Sequence, residues 1–344
     1  MFSRLKDFIW PAIGVAAVIW SVRLLYFKLK AEAATNPLIK ATLDNGDMFA
    51  NIGTIARVIG AKIAAIPPEG FALAGLSALI AYLALGWYDK LALMHLKKDK
   101  GISFPYIATT AFVTYALAHN IGATVLSGGA VRYRAYTANG LTGAEVAILV
   151  AICSLTFFYA TALMLGFALV ATPELLKPMA ALSTWLQVSS STARIIGLVL
   201  LMACMAYMVG SLLNLPTLTI KSTEIAYPKP SIVGLQTIIA PVEILGAAAI
   251  IYFSLPAESH PGFMLVLGAF LLSFSAGLVS QVPGGVGVME AIFLALMPAV
   301  PASSVFAALL VWRLLYLILP LVISIPIVLL FERARYKAQH GKAL

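Results

Sequence analysis

A chain of 344 residues that is 61% hydrophobic and 11% charged, with a mean hydropathy of +0.97, is excluded from the soluble globular class, where about a quarter of residues carry charge. Its formal charge of +9 invites a nucleic-acid partner. The bases stand beside apolar runs, however, where positive-inside bias and attraction to anionic headgroups account for them, so no nucleic-acid binding is expected.

Apolar runs cover 8–27, 71–92, 104–126, 144–171, 194–215, 231–254, 263–281 and 303–331, with a shorter piece at 286–299. A helix needs about 20 such residues to cross a hydrocarbon core of roughly 30 Å. The expected fold is therefore an all-α polytopic membrane protein of about eight transmembrane helices plus broken or re-entrant segments. The first run follows Arg4 and Lys6, as in a signal peptide, but it is long and no small-residue cleavage pattern follows, which predicts a retained anchor. Beyond it, Met48, Phe49, Ile52, Ile55, Ala56, Ile59 and Ile63 recur at helical spacing and predict an amphipathic interfacial helix that Pro67-Pro68 stops. Cys153 and Cys204 lie inside apolar runs and read as small hydrophobes, so neither a disulfide framework nor a metal site is expected. The division expected is 1–70 as anchor and interfacial segment, 71–332 as the membrane domain and 333–344 as a basic tail.

Lys97, Lys98 and Lys100, Arg132 and Arg134, Lys221 and Lys229, and Arg333, Arg335, Lys337 and Lys342 mark one side as cytoplasmic, while 172–193 and 255–262 carry few bases and face out. Lys28, Lys30, Lys40, Arg57 and Lys62 are exceptions that this scheme leaves outside. The scheme makes 104–140 begin and end inside and 263–302 begin and end outside. Each is expected to hold one helix and a broken return, interrupted at Gly128-Gly129 and at Pro283-Gly284-Gly285-Val286-Gly287.

Aligning Gly128-Gly129 with Gly284-Gly285 sets Arg134 on Glu290 and brings Asp89 close to Glu243. Half-repeats at about 71–172 and 231–332 would then run in opposite directions, the pattern of secondary transporters. Chance recurrence of Gly-Gly in a Gly-rich membrane sequence is the plainer alternative.

A charge inside an apolar span costs roughly 2.5–3.5 kcal/mol on insertion scales, so it is paired or faces a polar cavity. The candidates are Asp89, Arg132, Arg134, Glu145, Arg194, Glu243, Glu290 and Arg313. Arg132 and Arg134 read either as positive-inside anchors or as phosphate ligands, since a guanidinium offers a fork of donors and Ser127-Gly128-Gly129 can turn N–H groups toward an anion. Glu243 and Arg313 read as a structural ion pair or as cavity-lining charges, and Asp89, beside Lys90, either snorkels to the interface or joins them. Glu290, just after the second break, either receives an ammonium or caps the next helix. His119-Asn120 suits interhelical hydrogen bonds or a headgroup contact. The sequence holds no HExxH, GxSxG, Walker loop or metal-spaced Cys/His cluster, so neither an enzyme nor a cofactor is expected.

Several of these stretches carry a resemblance. Gly86-Trp-Tyr-Asp-Lys-Leu-Ala-Leu93, Tyr115-Ala-Leu-Ala-His-Asn-Ile-Gly122 with Gly128-Gly-Ala-Val-Arg-Tyr-Arg-Ala-Tyr136, Val282-Pro-Gly-Gly-Val-Gly-Val-Met-Glu-Ala291, and Trp312-Arg-Leu-Leu-Tyr-Leu-Ile-Leu-Pro320 together resemble the membrane domain of the multiple peptide resistance factor family, the lysylphosphatidylglycerol synthase transmembrane region. The resemblance implies a multi-pass protein of the bacterial cytoplasmic membrane that flips aminoacyl-phosphatidylglycerol from inner to outer leaflet, a role tied to antimicrobial peptide resistance. A separate C-terminal domain makes that lipid in the family, and because this sequence stops at Leu344 a transport module without the synthase is expected, either a standalone relative or a fragment. Carried over by motif, Asp89, Arg132, Arg134, Glu243, Glu290 and Arg313 fall where the family keeps charges in its membrane domain; for a flippase, Arg132, Arg134, Gly128, Gly129 and Arg313 are then expected at the headgroup phosphate, and Asp89, Glu243 or Glu290 at its amine. Partners would be anionic or aminoacyl phospholipids, a separately encoded synthase and, through Gly70, Ala74 and Ala78, a second copy of the chain. A non-transporting scaffold for a lipid enzyme and an exporter of another lipid or solute remain open.

Overall fold

The computed structural model describes residues 48–121, 124–181, 187–213, 215, 218–220, 223–225, 227–256, 261–280 and 282–340, together with Arg23, Tyr26, Phe27 and Lys30. The expected anchor at 8–27 lies almost wholly outside the described residues, as do Lys40, Lys221 and Lys342. The helices are α1 (Met48–Ala64), α2 (Pro68–His95), α3 (Phe104–Ile121), α4 (Thr124–Thr137), α5 (Gly143–Ala171), α6 (Ser190–Leu212), α7 (Pro230–Ser254), α8 (Phe263–Val279), α9 (Val288–Leu296), α10 (Ala302–Trp312) and α11 (Leu319–His340). Arg313–Ile318 is a π-helical turn joining α10 to α11. Among the described residues, five stretches are long and apolar enough to cross a membrane: α2, α5, α6, α7 and the continuous Ala302–Arg333. The protein is an all-helical, polytopic membrane protein, with one short antiparallel ribbon, β1 (Leu218–Ile220) and β2 (Thr223–Ile225), between α6 and α7.

Local chemistry sets the helix ends. Pro68 opens α2 with no N–H to lose, and Lys97 (φ 56°) and Gly101 (φ 96°) turn the chain after it. Thr142 and Glu145 form a capping box at α5, the Glu145 backbone N–H donating to Thr142 Oγ1 at 3.2 Å and the Thr142 N–H to Glu145 Oε2 at 2.7 Å. Ser189 Oγ accepts from the Thr192 N–H at 3.1 Å at the start of α6.

α2 and α7 lie antiparallel at the centre. Small residues let them approach: a Cβ on Gly70 would stand 2.7 Å from the Phe253 carbonyl oxygen, and one on Gly246 would stand 2.9 Å from that of Ser77. Around this pair the packing of the two halves corresponds. The α3/α4 hairpin answers the α8/α9 hairpin; α3 packs on α11 as α8 packs on α5, and α1 lies on α10 as α6 lies on α5. The correspondence thus takes in α1 and α6 as well as the stretches aligned from sequence.

Two expectations change. Gly128 and Gly129 do not interrupt the first hairpin; both lie inside α4, which has begun at Thr124. Their use is close packing, since a Cβ on Gly128 would meet Thr114 Cγ2 of α3 at 3.1 Å. Gly128 stands past the four N–H groups that a helix start leaves free, so the expected anion nest is not formed there. The second interruption is a true break, with Gly284, Gly285 and Gly287 at φ 61°, 60° and 83° and Gly285 so close to Gly277 that a Cβ would come within 3.2 Å of its Cα. In α1, expected as an amphipathic interfacial helix, Ile55 and Ile59 are buried against Ala307 of α10.

Candidate functional site

Three carboxylates and the Arg132 guanidinium are buried in the bundle, and the Arg313 side chain is 12% exposed. Asp89, fully buried on α2, receives Arg132 of α4 through Nε at 3.1 Å and Nη2 at 2.6 Å. Tyr136, one helical turn beyond Arg132, donates to the same carboxylate at 2.8 Å, and the guanidinium lies over the Tyr115 ring at 4.9 Å. An ion pair, a hydroxyl hydrogen bond and a cation–π contact hold this site together. Snorkelling of Asp89 is excluded, and its neighbour Lys90 pairs with Asp99 instead at 3.1 Å.

The second site forms at the break. Glu290, in the first turn of α9, accepts the Gly287 N–H at 2.7 Å and Arg313 Nε at 2.5 Å, so it caps the helix and holds a cation together. Arg313 Nη1 donates to the Gly284 carbonyl at 2.8 Å, which the positive φ of Gly284 turns toward it. Arg313 Nη2 is buried and has no hydrogen-bond partner among the described residues. A buried donor left unpaired costs about 1–3 kcal/mol, and more when charged.

Glu243 of α7, 4% exposed, makes no ion pair among the described residues. It accepts from Tyr316 through a short hydrogen bond and faces Tyr88 Oη at 3.4 Å. Glu243 and Arg313 are thus not partners; each is held by other residues. The π turn sets the direction of both Arg313 and Tyr316, and two helices brace it: Tyr82 of α2 donates to the Tyr316 carbonyl at 2.9 Å and Asn120 of α3 to that of Leu317 at 3.0 Å. The residue four beyond Tyr316 is Pro320, which has no N–H to offer the Tyr316 carbonyl. Aromatic rings connect the sites, with Tyr115 and His119 centroids 5.6 Å apart, His119 stacked on Tyr316 at 5.5 Å and Tyr316 on Trp312 at 5.3 Å.

Other candidates fall outside. Arg134, its side chain 56% exposed, pairs with Glu332 of α11 at 2.7 Å at the end where Lys98 meets Glu145 at 3.1 Å. Glu145 is a cap, and Arg194 is exposed in the first turn of α6. Arg134 and Glu290, matched by the sequence alignment, therefore do different things. Tyr136, which beside Arg132 and Arg134 reads as an interfacial aromatic, is fully buried instead; the sequence reading does not single out Tyr88, Tyr316 or Gln236, the last fully buried and bonded to Thr156 and Tyr207 at 2.7 and 2.9 Å. The adjacency of Tyr88 to Asp89 and the three-residue step from Arg313 to Tyr316 were the available signals. Beside the π turn, an apolar groove of about 400 Å³ runs between α2, α3 and α11, lined by Leu79, Leu83, Phe112, Leu315, Leu319 and Ile323 among others. Leu79, Leu83, Leu319 and Ile323 are exposed there, on the outer face of the bundle.

No protein-family model matches the chain. It is 33% identical over 250 residues to the protein slr0712 of Synechocystis, covering 71% of this chain and 73% of that one. It is 29% identical over 257 residues to the inner membrane protein YbhN of Escherichia coli, covering 74% and 77%. A shorter stretch of 97 residues, 27% of this chain, is 34% identical to 12% of the phosphatidylglycerol lysyltransferase of Staphylococcus aureus. With buried charges on a polytopic helical frame and these relatives along most of its length, the chain is a multi-pass inner membrane protein and belongs to the family of slr0712 and YbhN.

Proposed function

We propose that the protein moves anionic phospholipids between the leaflets of the bacterial inner membrane, without chemistry on the lipid. The observation that carries this is the buried Nη2 of Arg313, a donor with no acceptor among the described residues, on a guanidinium whose Nη1 already holds the Gly284 carbonyl of the glycine break. A charged fork with one prong unused suits a phosphate oxygen. The break supplies backbone polar groups at a depth where only protein or a polar ligand can satisfy them. The groove beside the π turn gives an acyl chain an apolar path along the outer face while the headgroup enters the bundle. The partial likeness to a phosphatidylglycerol lysyltransferase supports a phosphatidylglycerol-type substrate, aminoacylated or plain.

A leaflet assay tests the proposal. Purified protein is placed in vesicles with fluorescent phosphatidylglycerol or its lysyl form, and a membrane-impermeant quencher reads the outer pool. Protein-dependent exchange that falls in Arg313→Gln supports it. Folded protein that moves neither lipid faster than empty vesicles overturns it.

A further inference from the structure

Of the three buried acids, two are neutralised by arginines and one is not. Asp89 has Arg132, and Glu290 has Arg313. Among the described residues no Lys, Arg or His nitrogen lies within 4.0 Å of Glu243. An ionised carboxylate with only hydroxyl partners is costly at this depth.

The hydrogen-bond arithmetic points the same way. Tyr88 has one hydroxyl hydrogen but two acceptors in reach, the Ala240 carbonyl at 3.2 Å and Glu243 Oε2 at 3.4 Å. A proton on Oε2 resolves the conflict: Oε2–H donates to Tyr88 Oη, Tyr88 donates to Ala240, and Oε1 accepts from Tyr316. The Glu243 carboxyl oxygens and the Tyr88 and Tyr316 hydroxyls then each have a partner. The surroundings offer no other counter-charge. Tyr82 of α2 is committed to the Tyr316 carbonyl; Tyr115 and His119 of α3 reach the site only through ring contacts with Tyr88 and Tyr316. Cys153 of α5 faces Asp89, while Tyr159 of α5 and Tyr207 of α6 bond Thr237 and Gln236. α8 and α10 bring no charged side chain to α7. Two phenol hydroxyls are also too few oxygens to cage a metal cation.

We propose that Glu243 is a proton-binding site: its carboxyl holds a proton in the arrangement described and exchanges it when α7 and the π turn separate, coupling lipid movement to the proton gradient. The coupling step rests on the transport reading; the proton on Glu243 does not, and the two are tested apart.

Infrared difference spectra of the purified full chain, recorded as pH is stepped, should show a protonated-carboxyl carbonyl band that Glu243→Gln removes. Tyr316→Phe, which keeps the acid and deletes one donor, should retain the band and displace its midpoint. A wild-type protein without a titrating band, or a band unchanged in both variants, overturns the assignment. In vesicles, an imposed pH difference should change wild-type transfer by up to about tenfold per pH unit, and Glu243→Gln should lose that response. Wild-type transfer indifferent to the gradient overturns the coupling and leaves transport standing. Absence of transfer overturns the transport reading and the coupling with it, and the spectrum alone then decides the proton site.

Discussion

The first and second halves place an acid on each central helix, Asp89 on α2 and Glu243 on α7, and surround them differently. In the first half an arginine one hairpin away meets the acid directly, and a tyrosine and an aromatic face complete the contact. In the second, the arginine stands on a π turn and takes a different acid, Glu290, leaving Glu243 to two tyrosines and Arg313 with an unused donor. One half is electrostatically closed and the other is open. The difference teaches that matching architecture distributes charge unequally: the first half pairs its central acid with an arginine, and the second, with the break and the π turn, leaves its central acid without a cation and Arg313 Nη2 without an acceptor among the described residues, and it is on this half that the proposed transport would act.

The comparison breaks most clearly at Arg132. Arg132→Met leaves Asp89 buried with the Tyr136 hydroxyl but no cation, and thermal unfolding in detergent should show a loss of about 3–5 kcal/mol; Asp89→Leu combined with Arg132→Met should recover most of it. The same change in the open half should read differently. Arg313→Lys keeps a charge and removes the fork, so lipid affinity in a binding titration should fall by the worth of one charge-assisted hydrogen bond, about 1.5–3 kcal/mol, with little change in melting. A smaller effect is expected at the brace. Asn120→Ala frees the Leu317 carbonyl and should cost about 1 kcal/mol in the same unfolding assay. Least affected should be Arg134→Ala, whose exposed pair with Glu332 is worth roughly 0.2–1 kcal/mol; unaltered lipid transfer in that variant would confirm that Arg132 and Arg134, two residues apart, have separate duties.

By itself the sequence determined the class, most span positions, the second interruption and the short list of charges, because the hydrocarbon core penalises every polar group in proportion to local composition and length. The Pro283–Gly287 break was legible since proline and positive-φ glycines are local statements about backbone. Gly128-Gly129 carried the same letters without the same meaning, as glycine serves a close helix contact as readily as a turn, and only the position of Thr114 distinguishes them. Tertiary structure alone decided the partners. Whether Arg132 or Arg134 turns inward depends on the rotation of α4 against α2, and whether Arg313 meets Glu243 or Glu290 depends on a π turn that widens one loop of helix and re-aims two side chains. Such rotations are set by packing between distant segments, and no spacing along the chain records them.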